Sequence, residues 1–219
     1  MVGFSALASE TKGRVPEAWN VLGKLQVWYV GPMPPISHRP TWNEYFMLLA
    51  KLAATRSTCR AAAVGAVVVK DKQVLATGYN GPPAGAHHCT DMGYCYEGIS
   101  RCDADQAYPS RSSHAEANAI AMAAKKGISV DGATIYATLE PCLSCLKLII
   151  ASGIQEIYFE VPLALRTDGQ SFAKLALVNE GLVRMERIQL STDTIAQAVA
   201  FLSNPTSLPR PEPAYMLED

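Results

Sequence analysis

Residues 113–153 read SHAEANAIAMAAKKGISVDGATIYATLEPCLSCLKLIIASG. The Ala-rich run from Ser113 to about Lys126 favours a helix, and Gly127 suits the left-handed position that ends one. Ala133 to Leu139 alternates β-branched and aromatic residues with small ones and predicts a strand. Pro141 then opens a second helix, closing at Gly153. The order helix, strand, helix continues downstream: a strand at Glu156 to Glu160, a helix at Phe172 to Glu180, a strand at Val183 to Leu190 and a helix at Thr192 to Leu202.

Upstream, Thr41 and Glu44 form a T-x-x-E capping box that starts a helix running to about Arg56. Its expected buried face is Tyr45, Leu48, Leu49 and Leu52. Val64 to Val69 and Val74 to Thr77, separated by Lys70-Asp71-Lys72-Gln73, predict a β-hairpin. These elements make an α/β fold: three α/β/α layers around a five-stranded mixed sheet, its hairpin antiparallel and its later strands parallel.

With 219 residues and 49% apolar composition the chain suffices for one core. The expected layout is an N-terminal extension over 1–39, a domain over 40–190, and a C-terminal helix and Pro-rich tail over 191–219. The extension is rich in Gly and Pro, with Gly-Pro-Met-Pro-Pro at 31–35 and a short element at 22–30. The tail from Pro205 is expected to be poorly ordered.

Nineteen basic and 20 acidic residues give a net charge of -1. That balance lacks the basic excess of a protein bound to a nucleic-acid polymer, so a small-molecule partner is expected. No apolar run approaches the roughly 20 residues that cross a bilayer, and no basic stretch followed by an apolar segment opens the chain. No membrane partner and a cytoplasmic location are the expectations.

His114-Ala115-Glu116 lies at one helix start and Pro141-Cys142-Leu143-Ser144-Cys145 at the next. Two thiols three residues apart on a helix start face one way, and the positive dipole end there favours the thiolates that zinc requires. With His114 they make three ligands, leaving the fourth tetrahedral position for water, as catalytic zinc sites do. Glu116, two residues from His114, points elsewhere around the helix and is read as the acid-base group. Alone, an H-x-E is usually a packed or capped pair, and a C-x-x-C is redox-active or structural. The ordered combination is the signature of zinc enzymes that remove an exocyclic amine from a nucleobase.

TWNEYFM (41–47), VGAVVV (64–69), GYNGPPAG (78–85), HAEANAI (114–120) and PCLSCLKLIIASGI (141–154) together resemble the deoxycytidylate deaminase family of the cytidine deaminase superfamily, over roughly Pro40 to Glu160. The resemblance implies a cytidine deaminase-like fold, a catalytic zinc on His114, Cys142 and Cys145, Glu116 as proton carrier, and conversion of dCMP to dUMP. It further implies that Asn80 bonds the sugar hydroxyl and that the backbone near Ala115 meets the pyrimidine edge. Family members are often hexamers regulated by dCTP and dTTP, which implies a homo-oligomer and an effector site around Gly78, Tyr79, Gly81 and Gly85, with Mg accompanying a triphosphate. A bland reading of Asn80 is a turn residue in left-handed geometry. Arg56 and Arg60 are either 5'-phosphate ligands or solvated helix-end charges.

Cys59, Cys89, Cys95 and Cys102 surround a loop with little apolar content. A second, structural zinc on these four thiols, or on three of them with His88, is one expectation; free thiols or a Cys95–Cys102 disulfide is the other. For function, dCMP competes with cytidine, dCTP, 5-methyl-dCMP and transfer-RNA adenosine, and with a zinc-stabilised nucleotide-binding module that does no chemistry. Retention of Glu116 counts against the last.

Overall fold

The computed structural model describes residues 39–97, 110–163 and 168–203. The expected extension over 1–39, its element at 22–30, Cys102 and the tail beyond 203 lie outside the described residues, apart from Arg39 itself. Helix α1 spans Trp42–Ala54, followed by β1 (Gly65–Lys70), β2 (Gln73–Tyr79), the single-turn α2 (Cys89–Met92) and α3 (Ala115–Lys125). Then come β3 (Thr134–Leu139), α4 (Leu143–Ala151), β4 (Glu156–Val161), α5 (Asp168–Asn179), β5 (Arg184–Arg187) and α6 (Thr192–Ser203).

The five strands form one mixed sheet in the order β2-β1-β3-β4-β5. β1 pairs antiparallel with both β2 and β3, whereas β3–β4 and β4–β5 are parallel. Every residue of β1 from Gly65 to Val69 is buried, as a central strand covered on both faces requires. Alternation sorts its side chains: Ala66 and Val68 join Ala119, Ala123, Leu146 and Ile149 of α3 and α4, while Val67 and Val69 join Phe46, Met47 and Ala50 of α1. These two cores are the two interfaces of a three-layer α/β/α fold.

Two antiparallel pairings in succession make β2 and β3 run the same way. Their C-terminal ends, Tyr79 and Leu139, therefore share one sheet edge. α3 and α4 pack on the same face, so the N-termini of both helices are delivered to that edge.

The capping box of α1 is present, Thr41 and Glu44 each bonding the other's backbone N–H. The buried face is not the expected one. Phe46, Met47, Ala50 and Ala54 are buried, while Tyr45 and Leu52 are exposed and Leu48 and Leu49 only flank the core. The reason is close approach: a Cβ on Gly65 would stand 2.1 Å from the Ala50 carbonyl oxygen and 2.5 Å from the Ala54 nitrogen. Only the small-residue side of α1 fits against β1. The final strand is also shorter than the expected Val183 to Leu190, although Val183 and Leu190 are both buried.

Candidate active site

His114 and Cys142 are the N-caps of α3 and α4, both with extended backbone and neither with a side-chain capping bond. An N-cap is usually Ser, Thr, Asp or Asn, whose oxygen turns back to the helix. Here imidazole and thiol leave that duty undone and face each other. Cys145 is the third residue of α4, one turn along from Cys142.

The His114 Nδ1 lies 3.4 Å from the Cys142 Sγ and 3.4 Å from the Cys145 Sγ. All three ligand atoms fall within 4.8 Å of one another, the one such group of three or more His, Cys, Asp or Glu among the described residues. Zinc bonds of about 2.3 Å to sulfur and about 2.0–2.1 Å to nitrogen put tetrahedral N and S ligands about 3.6 Å apart. The donor set and its spacing fit zinc, with Nδ1 as the imidazole ligand.

The electrostatics suit a cation. The hydrogen bond from Cys145 and that from His114 hold the Cys142 thiol down to about 3, and the Cys145 thiol, donating to Cys142 and buried, is pushed up. The pair thus shares one proton until a metal displaces it. His114 is raised, chiefly by its hydrogen bond to Cys142.

Glu116, the second residue of α3, is only 3% exposed and stands outside the group of three ligand atoms. Burial pushes its carboxyl above the ordinary carboxylate range, against the lowering effect of its own backbone N–H and the nearby His114. A carboxyl raised in this way and set beside a metal site is better suited than an ordinary one to take up and return a proton.

Asn80 is buried, and its backbone is not left-handed, which removes the turn reading. Its Oδ1 accepts from the Val64 N–H at 2.8 Å and the Ser57 hydroxyl at 2.7 Å, and its Nδ2 donates to the Ala62 carbonyl at 2.8 Å. One Nδ2 proton has no partner among the described residues. Asn80 therefore fastens residues 57–64 to the end of β2.

Ala115 is fully buried, and Gly78 lies against it: a Cβ on Gly78 would stand 2.2 Å from the Ala115 carbonyl oxygen. Tyr79, at the strand end, accepts from the Asn118 side chain at 2.8 Å. Gly81 bridges to Ser113, the residue before His114, and Gly85 has a φ of 90°. The motif GYNG thus clamps the start of α3. Arg56 is exposed, and Arg60 donates to the Gly93 carbonyl at 2.5 Å.

Cys59, Cys89 and Cys95 are free thiols. Neither together nor with His88 do they bring ligand atoms into common reach; His88 instead faces Asp91, its Nδ1 3.4 Å from Oδ2. A groove of about 450 Å³, lined by Lys51, Ala62, Val64, Thr138 and Glu160 among others, lies on the α1 side of the sheet, and none of the four signature residues lines it. The contacts that sequence reasoning missed are those of Ser57, Asn118 and the Glu140–Lys174 ion pair. Only Glu140 had a signal, its place immediately before Pro141.

No helix among the described residues is long and apolar enough to cross a membrane. Residues 40–161 match the model of the cytidine and deoxycytidylate deaminase zinc-binding region. The chain is 46% identical over 121 residues to ComE operon protein 2 of Bacillus subtilis, covering 55% of this chain and 60% of that protein. To the deoxycytidylate deaminase of Mycobacterium phage D29 it is 44% identical over 132 residues, 55% of this chain and 95% of the relative. The yeast Saccharomyces cerevisiae deoxycytidylate deaminase is 39% identical over 139 residues, of which the match spans 42%. The solved dCMP deaminase of cyanophage S-TIM5, in complex with dCMP and dUMP, superposes with a TM-score of 0.53 at 30% identity, over 69% of this chain and 99% of that one. With more than half of its length matched by that family model, the chain belongs to the cytidine and deoxycytidylate deaminase family.

Proposed function

We propose that this chain is a zinc-dependent hydrolase that converts dCMP and water to dUMP and ammonia. The observation that carries the reading is the meeting of His114 Nδ1 and the Cys142 and Cys145 sulfurs, with the buried Glu116 carboxyl beside them. When bound, zinc supplies a Lewis-acid centre that brings the pKa of a coordinated water toward 7. His114, Cys142 and Cys145 would hold it. Glu116 takes one proton of the attacking water as its oxygen bonds C4 and gives that proton to the pyrimidine N3; it then moves the proton of the new C4 hydroxyl to the amine, so that the C4–N bond breaks, C4=O forms and ammonia leaves. Asn80, through its one uncommitted Nδ2 proton, is the donor offered to the sugar. Support for dCMP in particular comes from relatives named deoxycytidylate deaminase in phage and yeast and from the phage enzyme solved with dCMP and dUMP.

Ammonia release from cytidine, dCMP, dCTP and 5-methyl-dCMP tests the substrate, with and without dCTP or dTTP as effectors. Turnover of dCMP well above the others is expected; turnover of cytidine but not dCMP would overturn a phosphate-bearing substrate. The effector arms of the same series, with Mg present, test triphosphate regulation at Gly78, Tyr79, Gly81 and Gly85; the mass of the assembly in solution tests a homo-hexamer; and a cytoplasmic site of action belongs to the same reading. The hexamer and the regulation rest on the family resemblance, the effector site on its GYNGPPAG loop. The second zinc stays a proposal that requires Cys102 and a closer approach of Cys59, Cys89 and Cys95. Two ions per chain in native mass spectrometry would support it, and one would refute it.

A further inference from the structure

Glu140 lies between the end of β3 and the zinc-ligand turn, and its contacts reach β4, the segment just after it and α5. Its backbone N–H donates to the Val161 carbonyl at 2.8 Å, its Oε2 accepts from the Leu163 N–H at 3.0 Å, and its Oε1 pairs with Lys174. Lys174 comes from α5, beyond the span of the family match, and is only 5% exposed. Leu177 and Val178, one turn further on, pack against the α4 side of the core. After Glu140 comes Pro141, fully buried, and then Cys142. An ammonium this buried is costly unless paired, and a carboxylate left alone here is costly too. The pairing aims both Glu140 oxygens and fixes the chain two residues before a ligand.

We propose that Lys174 is a positioning residue for the metal centre: by neutralising and orienting Glu140 it holds the Glu140-Pro141-Cys142 turn in the geometry that presents Cys142 and Cys145 to zinc. The inference rests on the zinc reading of the site. Groups that orient metal ligands from behind change metal affinity or activity by about 10–100-fold when removed. A lysine that merely docks α5 would affect folding, not zinc retention.

The test uses the full chain with zinc bound, comparing wild type, Lys174→Met, Lys174→Arg, Glu140→Gln and the double variant Glu140→Gln/Lys174→Met. Zinc transfer to a coloured chelator is followed without substrate, and kcat and KM are measured on dCMP. In Lys174→Met, transfer should be at least ~10-fold faster and kcat should fall with KM within about twofold. Lys174→Arg should stay near wild type. The double variant should recover most of the retention, because the amide that Glu140→Gln introduces still accepts from the Leu163 N–H and no longer needs a cation. Folded Lys174→Met that holds zinc like wild type overturns the proposal. So does a double variant that loses zinc as fast as Lys174→Met, because retention would then not depend on the charge pairing with Glu140. If Lys174→Met does not fold, the double variant is compared with wild type: near-wild-type zinc transfer supports the proposal, and transfer at least ~10-fold faster overturns it. A wild type that holds no zinc removes the metal reading itself, a result distinct from either.

Discussion

Replacing Gly78 with Ala separates the stability of the sheet from the placement of the chemistry. The new Cβ would stand 2.2 Å from the Ala115 carbonyl oxygen, 2.5 Å from the Ala119 nitrogen and 3.0 Å from its Cα. All three are helix backbone, so no side chain can swing aside. Restoring a contact of roughly 3.2 Å to the carbonyl oxygen moves the first turn of α3 by about 1 Å, and His114 and Glu116 ride on that turn. Overpacking of this kind costs about 1–3 kcal/mol, which for a chain of this size lowers Tm by about 2–12 °C. A displacement of about 1 Å in a catalytic group costs on the order of 100-fold in rate. Gly65→Ala makes the matching collision on the opposite face, at 2.1 Å from the Ala50 carbonyl oxygen, but it moves α1. Melting curves and dCMP turnover of the two variants are the assay. Both should lose similar stability, while Gly78→Ala alone loses about 100-fold in kcat well below its Tm. A folded Gly78→Ala variant with wild-type kcat would refute the link between β2 and the position of α3.

Asn80→Ala removes three side-chain bonds, leaving the Val64 N–H without its partner and the Ala62 carbonyl with only the long 3.5 Å bond from the Ser57 hydroxyl, so a loss of about 2–4 kcal/mol in chemical denaturation is expected; a loss below about 0.5 kcal/mol would contradict the fastening role. In protein stripped of zinc, Cys142 is held down to about 3 by its bonds from Cys145 and His114. Because the thiolate persists above that value, iodoacetamide at pH 6 should modify Cys142 ahead of Cys59, Cys89 and Cys95, and peptide mapping that finds Cys142 slowest would refute the assignment.

The fold was legible because its signals are local. The helix-strand-helix run through 113–153 carries stop residues at Gly127 and Gly153 that do take left-handed backbone, with φ of 66° and 81°. The alternation in β1 and β3 fixed which helices could share a face. The orientation of α1 was not legible, since large apolar residues on both sides leave the choice to Gly65, 11 residues beyond the helix. Asn80 illustrates the same limit: its identity suggested a turn or a ligand, while its bonds to Ser57, Ala62 and Val64 depend on where residues 57–64 return. Lys174 gave no signal at all, because its partner lies 34 residues away in sequence.

The central claim is that three residues hold zinc and Glu116 moves the protons. It is tested most directly by measuring zinc content and dCMP turnover together in Glu116→Gln. One equivalent of zinc at His114, Cys142 and Cys145, as in wild type, is expected, with turnover lower by roughly 100-fold to 10,000-fold, the usual contribution of a positioned acid-base group. Wild-type turnover in a zinc-loaded Glu116→Gln protein would contradict it.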